Sequence, residues 1–496
     1  MLQGVVEIVV TAADMGARRW QVHRYDLGRE FGELAGLLDG FAPDLASWVR
    51  AAGGWDGQSF MIDPTGRADL RVNACLGSAK WRNLGDRSYR GYTYSVGVWL
   101  NFLVPLAVNW WEAVEDDAEE FLFWRVTDPA NEDRVQTNSF ARDLAALKKF
   151  YKWTRKAYGT THPFEDFDPP RATRREDVKW LDPGGYRRWL DLGIRGMDLS
   201  GRPDRWWRGR NDERDEAFCD GLYGNGLRVS EWGSVMLPEL PTYNRRRSYY
   251  TCQLADACAK GGYGHAYWTP RSAMKGLLSY VEGARAAAVR RAQAAGRYAR
   301  VEGLRLVLAT HGTESVTLEG VRGGAQEKPW NEIGPRTRLR MFRRTPQGLE
   351  PLALWLNEDG LPRDGRGWEH TFDVANERIK MLGLENFSCT AHMLRHSFAL
   401  KWYAIGKLVW AARLGHLSED ERRDFREEFG SVWHLVQTML GHLRVETTKE
   451  VYLQPFRSLE VEMLLAHADG FPVEAFMADA FTDHPRVRTD PLAVAR

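Results

Sequence analysis

Apolar positions recur every three or four residues through three stretches: YRGYTYSVGVWLNFLV (residues 89–104), AVEDDAEEFLFWRVT (113–127) and NSFARDLAALKKFYKWTRKAYG (138–159). That spacing collects apolar side chains on one face of a helix, so three amphipathic helices are predicted. The second opens on acidic residues, which suit the positive end of a helix. The third has Asn138 or Ser139 as its cap, and its stripe is Phe140, Leu144, Leu147, Phe150 and Trp153. Helical character returns in SAMKGLLSYVEGARAAAVRRAQAAGRY (272–298) and in a stretch that leads into CTAHMLRHSFALKWYAIG (389–406). Strand-like runs are fewer. VVEIVVTA (5–12) reads as a strand, and short β-prone runs flank Lys260-Gly261-Gly262 as in a hairpin. The predicted class is mostly α with a small β-sheet, an α+β protein.

Between these elements the pattern weakens. HPFEDFDPPRATRREDVKWLDP (162–183) is rich in Pro, Asp and Arg and reads as an interdomain linker. THGTESVTLEGVRGGAQEKPWNEIGPRTRLRMFRR (310–344) is Gly-rich and basic, and reads as an insertion or an exposed β-arm. Its cations from Arg336 to Arg344 would either meet a polyanion or solvate a loop. The end, TDHPRVRTDPLAVAR (482–496), reads as disordered.

A chain of 496 residues holds two or three domains. Its net charge is +1, so nucleic-acid binding would have to come from local clusters of Lys and Arg. The 21 tryptophans favour compact aromatic cores. Five cysteines with no CxxC pair point to reduced thiols in a cytoplasm, and Cys252 and Cys258 stand too isolated to suggest zinc. No signal peptide or membrane span is evident. The most apolar run, VGVWLNFLVPLAVNWW, is interrupted by Asn101, Pro105 and Asn109 and reads as a buried helix end.

The chemistry concentrates between Cys389 and Phe456. His392 and Arg395 are three apart in a helical segment and project from one face. His442 lies in LGH, a turn-like break, and Tyr452 follows ten residues later. Taken singly, each fits a surface or core role. As a set they suit attack of a phenol oxygen on a phosphodiester whose phosphate is held by cations. Here the sequence resembles the tyrosine recombinase (phage integrase) family, whose signature is HxxR, then LGH, then Tyr. HMLRHSFA and MLGH…TT…VY match in that order, and His396, one residue past Arg395, is a supporting candidate.

Two upstream boxes extend the resemblance. GNGLRVSE is similar to the family's first arginine box: the glycine turn breaks one helix, Arg228 opens the next, and Glu231 can orient it. Lys260, before Gly261-Gly262, stands where the family has its hairpin lysine, with His265 as a competitor in the same hairpin. Two departures stand out. The interval from His392 to His442 is long, with ARLGHLSEDERRDFREEFG as an inserted charged helix. Its LGH at 414–416 is a decoy, because no tyrosine follows His416 at a suitable distance. The His442–Tyr452 spacing is also about one residue longer than the family's.

The resemblance implies the following. Residues 1–86 are an N-terminal extension; 87–168 a helical, SAM-like core-binding domain; 169–180 a linker; 181–470 the catalytic domain, with insertions near 300–345 and 411–431; 471–496 a tail. Arg142, Lys148, Lys149, Lys152, Arg155 and Lys156 would contact DNA phosphates. Tyr452 would be the nucleophile; Arg228, Arg395 and His392 would stabilise the phosphate; His442 would place it; Lys260 would be the general acid. The activity implied is site-specific recombination through a 3′-phosphotyrosine, integrating or excising a mobile element such as a phage. No metal or other cofactor is expected. Expected partners are double-stranded DNA bearing specific sites, further copies of the chain (a tetramer on DNA, joined through the C-terminal helix) and an accessory recombinase or directionality factor. A type IB topoisomerase-like relaxase and a non-catalytic DNA-binding protein of the same fold stay open as alternatives.

Overall fold

The computed structural model describes residues 19–25, 49, 51–167, 180–301, 303–320, 324–414, 418, 420, 432–441, 487–488 and 490–492. The predicted strand at 5–12, residues 168–179 of the linker, and the insertion beyond residue 420 lie outside the described residues. The chain is mostly α with small β-sheets and divides into two compact units, Met1–Arg175 and Glu176–Arg496.

In the first unit, strands β1 (Gln21–Arg24) and β2 (Ser59–Ile62) pair antiparallel. Helix α1 (Leu70–Leu76) is capped by Asp69, whose carboxylate accepts the N–H groups of Arg71 and Val72. Then come α2 (Asp86–Leu103), α3 (Glu115–Leu122) and α4 (Thr137–Tyr158). The apolar run indeed ends a helix, at Leu103. Helix α4 begins one or two residues before the predicted cap and stops at Gly159, whose φ of 68° lies in the left-handed region that glycine tolerates. Phe140, Leu144, Leu147 and Phe150 of its stripe are buried, with Trp153 at the margin. They share one core with Trp99 and Phe121, and also with Met61, Val72, Cys75 and Trp81. The core therefore runs continuously across residue 86.

One polar position interrupts the buried face of α4. Asp143 is fully buried, accepts from the Ser95 hydroxyl at 2.6 Å and pairs with the Arg125 guanidinium at 3.2 Å. Arg125 also donates to the Asp133 carbonyl.

The second unit opens with β3 (Trp180–Leu181), α5 (Pro183–Trp189), α6 (Asp212–Asn225) and the single turn α7 (Val229–Trp232). A hairpin follows, β4 (Tyr249–Gln253) against β5 (Ala266–Pro270), then α8 (Arg271–Tyr280), which runs through a wide turn into α9 (Ala286–Ala294). Last come α10 (Arg366–Met381), α11 (Ala391–Leu414) and α12 (Val432–Leu440). Trp189, Phe218, Trp232, Trp355, Trp368 and Leu394 anchor the core. Helix α11 packs on α6 and α12.

Residues 305–351 form strands, as a β-arm would, but they fold on themselves and are not simply an exposed arm. Strands Arg305–His311, Ser315–Glu319, Ala325–Pro329, Met341–Thr345 and Gly348–Pro351 build one sheet in the order fifth, fourth, first, second, third. Val307, Val316, Trp330 and Phe342 give it a core of its own. Within it Arg338 is not a DNA-facing cation. It is buried, donates to both oxygens of Glu239 at 2.6 and 2.9 Å, and satisfies three backbone carbonyls.

The C-terminal end also corrects the expectation of disorder. Val487 and Arg488 pair in parallel with Trp180 and Leu181, and Asp490 takes a two-pronged contact from Arg188 at 2.9 and 3.0 Å.

The Arg125–Asp143 pair yields a stability prediction. Asp143→Ala leaves a buried guanidinium without its anion, so the first unit should lose about 3–5 kcal/mol. Denaturant unfolding of the full chain, followed by tryptophan fluorescence, reads this. A loss below about 1 kcal/mol would mean the pair is solvated in solution.

Candidate active site

The site begins at the end of α6. Asn225 and Gly226 break that helix, Gly226 at a φ of 68° and so close to Phe398 that a Cβ would come within 2.3 Å of the ring. The buried Asn225 carboxamide accepts the Leu227 N–H and holds the turn. Arg228 then opens α7, as the sequence predicts. Its backbone N–H donates to Glu231 Oε2 at 2.9 Å and its guanidinium to Oε1 at 2.7 Å. Glu231 itself is fully buried.

The same carboxylate reaches the hairpin. Lys260 sits in the loop between β4 and β5, in a turn closed by the Gly262 N–H on the Ala259 carbonyl. Its backbone N–H donates to Glu231 Oε1 at 3.2 Å, while its side chain is exposed. Burial alone would raise the Glu231 pKa. The charge of Arg228, its backbone N–H and the charge of Arg395 outweigh that and hold it below the ordinary carboxylate value.

Helix α11 brings the third part. Arg395 is buried and donates to the Gly226 carbonyl and, at 2.7 Å, to the Leu440 carbonyl at the end of α12. It thus ties together the first arginine box, its own helix and the turn that leads to position 442. His392, one turn earlier on α11, is titrated down by burial first and then by the charges of Arg395, Arg228 and Lys260. Those three cations therefore share its surroundings. His396 is buried beside it, the two rings meeting edge to face at 4.3 Å.

Arg228, Glu231, Lys260, His392, Arg395 and His396 are thus gathered around one point. His442 and Tyr452 lie outside the described residues. Gly441, which precedes His442, has a φ of 61° and lies flat on the His265 ring, where a Cβ would come within 2.2 Å of it. Sequence reasoning weighed His265 only as an acid. Its ring packs against the turn before His442, a contact no local spacing reveals. The six candidate cations of α4 belong to the first unit. Arg142, Lys152, Arg155 and Lys156 are exposed, and Lys148 and Lys149 are half-buried. Arg155 pairs with Glu165. Among the described residues no group of three or more His, Cys, Asp or Glu is placed to hold a metal, and no helix is long and apolar enough to cross a membrane.

The electrostatics predict a pH response. His392 and His265 both titrate below the ordinary 6.5, burial being the first cause in each. A folded-state pKa below the unfolded one favours the neutral ring. That contribution is complete above pH 6.5 and is lost progressively as pH falls below it. NMR titration of the ring Cε1–H signals should place both midpoints under 6.5. A midpoint at or above 6.5 for His392 would exclude the clustered cations around it.

Residues 79–157 match the family model described as the phage integrase N-terminal SAM-like domain. A search of the curated proteins gives no match. Among solved structures, the chain is similar to the XerH site-specific recombinase bound to palindromic difH substrate, at 14% identity, over 81% of this chain and 84% of that one, with a TM-score of 0.44. The Tn1549 transposon integrase in complex with circular intermediate DNA gives 12% identity, 77% and 94% coverage and a TM-score of 0.41. A lambda integrase dimer bound to a COC′ core site gives 9%, 76% and 93%, and 0.41. Residues 79–157 thus carry a match to a SAM-like integrase domain, and the arginine box, HxxR, LGH and tyrosine that resemble the tyrosine recombinase (phage integrase) signature follow it in order in the sequence.

Proposed function

We propose that this protein is a site-specific DNA recombinase that cuts and rejoins strands through a 3′-phosphotyrosine, integrating or excising a mobile element. One observation carries the reading: two arginines and a lysine-bearing turn meet a single buried carboxylate, and His392 lies among the same three cations. Such a cluster of fixed cations suits a phosphate whose charge grows in the transition state. Arg228 and Arg395 would hold the non-bridging oxygens, with His392 beside them. Glu231 orients Arg228 and fixes the Lys260 backbone. His442 would complete the phosphate contacts.

The Tyr452 phenol would give up its proton to solvent and its oxygen would attack phosphorus, forming the Tyr–O–P bond as the bond to the 5′ oxygen breaks. The departing 5′ oxygen would take a proton from Lys260. Reversal with another 5′ hydroxyl rejoins the strands, and the phosphotyrosine conserves the bond energy, so no nucleotide is consumed. The α4 cations would grip the duplex backbone without reading sequence. A homotetramer on specific sites, joined through the C-terminal helix and directed by an accessory recombinase or directionality factor at the nucleoid, completes the proposal.

Tyr452→Phe should bind DNA as the parent does and give no covalent adduct on a nicked suicide substrate. Adduct at undiminished yield would assign the nucleophile to another phenol. Lys260→Ala should cleave ordinary DNA about a hundred- to ten-thousand-fold more slowly. A 5′-bridging phosphorothiolate, whose leaving group needs no proton, should restore most of that rate. Equal slowness on both substrates would make Lys260 a phosphate contact and place the acid elsewhere.

A further inference from the structure

Beside the catalytic hairpin lies a second basic feature that the reaction does not use. Between the segment that enters β4 and the first turns of α8 is a cleft of about 570 Å³. Arg245, Arg271 and Lys275 line it, together with Tyr243, Tyr249 and Ser248. Arg246 and Arg247 continue the run beside it, and all five cations are exposed. Among the described residues none of the five is in an ion pair, whereas Arg195, Arg214, Arg285, Arg338 and Arg378 of the same unit all have a carboxylate.

A run of arginines on a loose loop would only be solvated. This one is held. The buried Tyr250 ring carries a hydroxyl that accepts the Asn244 N–H at 2.9 Å and donates to the Asn244 carbonyl at 2.7 Å. The Asn244 side chain accepts the Arg246 N–H, and its carbonyl accepts the Arg247 N–H. From across the cleft, the Arg271 N–H donates to the Ser248 carbonyl at 2.9 Å and its guanidinium to the Arg245 carbonyl at 2.8 Å. The backbone is fixed while most guanidinium donors stay open. Tyrosine and serine hydroxyls among them are neutral donors of the kind that accompany arginine on phosphate oxygens.

We propose that this cleft is a second phosphate-binding site, which takes the DNA backbone away from the scissile position. The inference rests on the recombinase reading and deepens it. Strand β5 joins the Lys260 loop to Arg271 through Ala266–Pro270, about 17 Å at 3.3 Å per residue. That span is about half a turn of duplex. The cleft therefore contacts flanking duplex and contributes affinity without touching the reacting atoms.

The test is the salt dependence of binding to a random-sequence 30-base-pair duplex, measured by fluorescence anisotropy on the full chain. Arg245→Gln/Arg271→Gln/Lys275→Gln is compared with Arg290→Gln/Arg297→Gln/Arg300→Gln, which removes the same charge from exposed positions of the same unit. The cleft variant should flatten the plot of log affinity against log salt by about one unit for each phosphate it no longer neutralises. It should weaken binding equally on unrelated sequences. The comparison variant should keep the parent slope, and Arg245→Lys, which keeps the charge, should too. Thermal unfolding within a few degrees of the parent shows that all variants fold. Equal slopes for the two triple variants, with the parent still binding DNA steeply, overturn the cleft and leave the recombinase reading intact. A parent chain that does not bind duplex overturns both.

Discussion

A carboxylate with no access to water holds the candidate site together. Glu231 accepts from the Arg228 backbone, the Arg228 guanidinium and the Lys260 backbone, three donors from two elements. Without it, Arg228 and Arg395 would face one another as like charges in a low-dielectric pocket. A charged group buried this deeply is tolerated only when it is fully bonded and paired. Arg228, Glu231 and the Lys260 backbone are therefore fixed to one another by the fold itself, which on the proposed reading spares these cations from reorganising around a phosphate.

Arg395 plays the complementary part. Its guanidinium spends donors on two backbone carbonyls, those of Gly226 and Leu440. A lysine could not span both, since it presents a point charge rather than a planar fork. The contact also explains the glycine at 226. The backbone must turn left-handed there while Phe398, on the same helix as Arg395, closes over it. The first arginine box and the HxxR helix thus fit each other through backbone shape as well as charge.

Much of this was legible in the sequence because it is local. GNG before Arg228 announces a broken helix, three-residue spacing puts His392 and Arg395 on one face, and the α4 stripe gives the helical core. The five-stranded sheet was hidden because its edges carry no alternation: the strand Ala325–Pro329 is polar and almost entirely exposed. Arg338 read as a solvated or DNA-facing cation because its partner, Glu239, lies far back in the chain. The last strand is two residues long, too short for any periodicity, and exists only because Trp180 and Leu181 present an open edge. Residues 61–81 seemed separate from the helices after them because a shared core leaves no mark on local pattern.

The pairing of β3 with Val487–Arg488 has a topological consequence. At Gly441 the chain leaves a turn that Arg395 secures through Leu440, and at Val487 it rejoins the same unit on β3. The β3 pairing and the Arg188–Asp490 ion pair, whose partners lie 302 residues apart, close the second unit on itself. The entropy of closing such a loop grows only with the logarithm of its length, so its size costs little. Two paired residues and one two-pronged ion pair therefore suffice for the clasp, and so short a strand is where this unit would fray first.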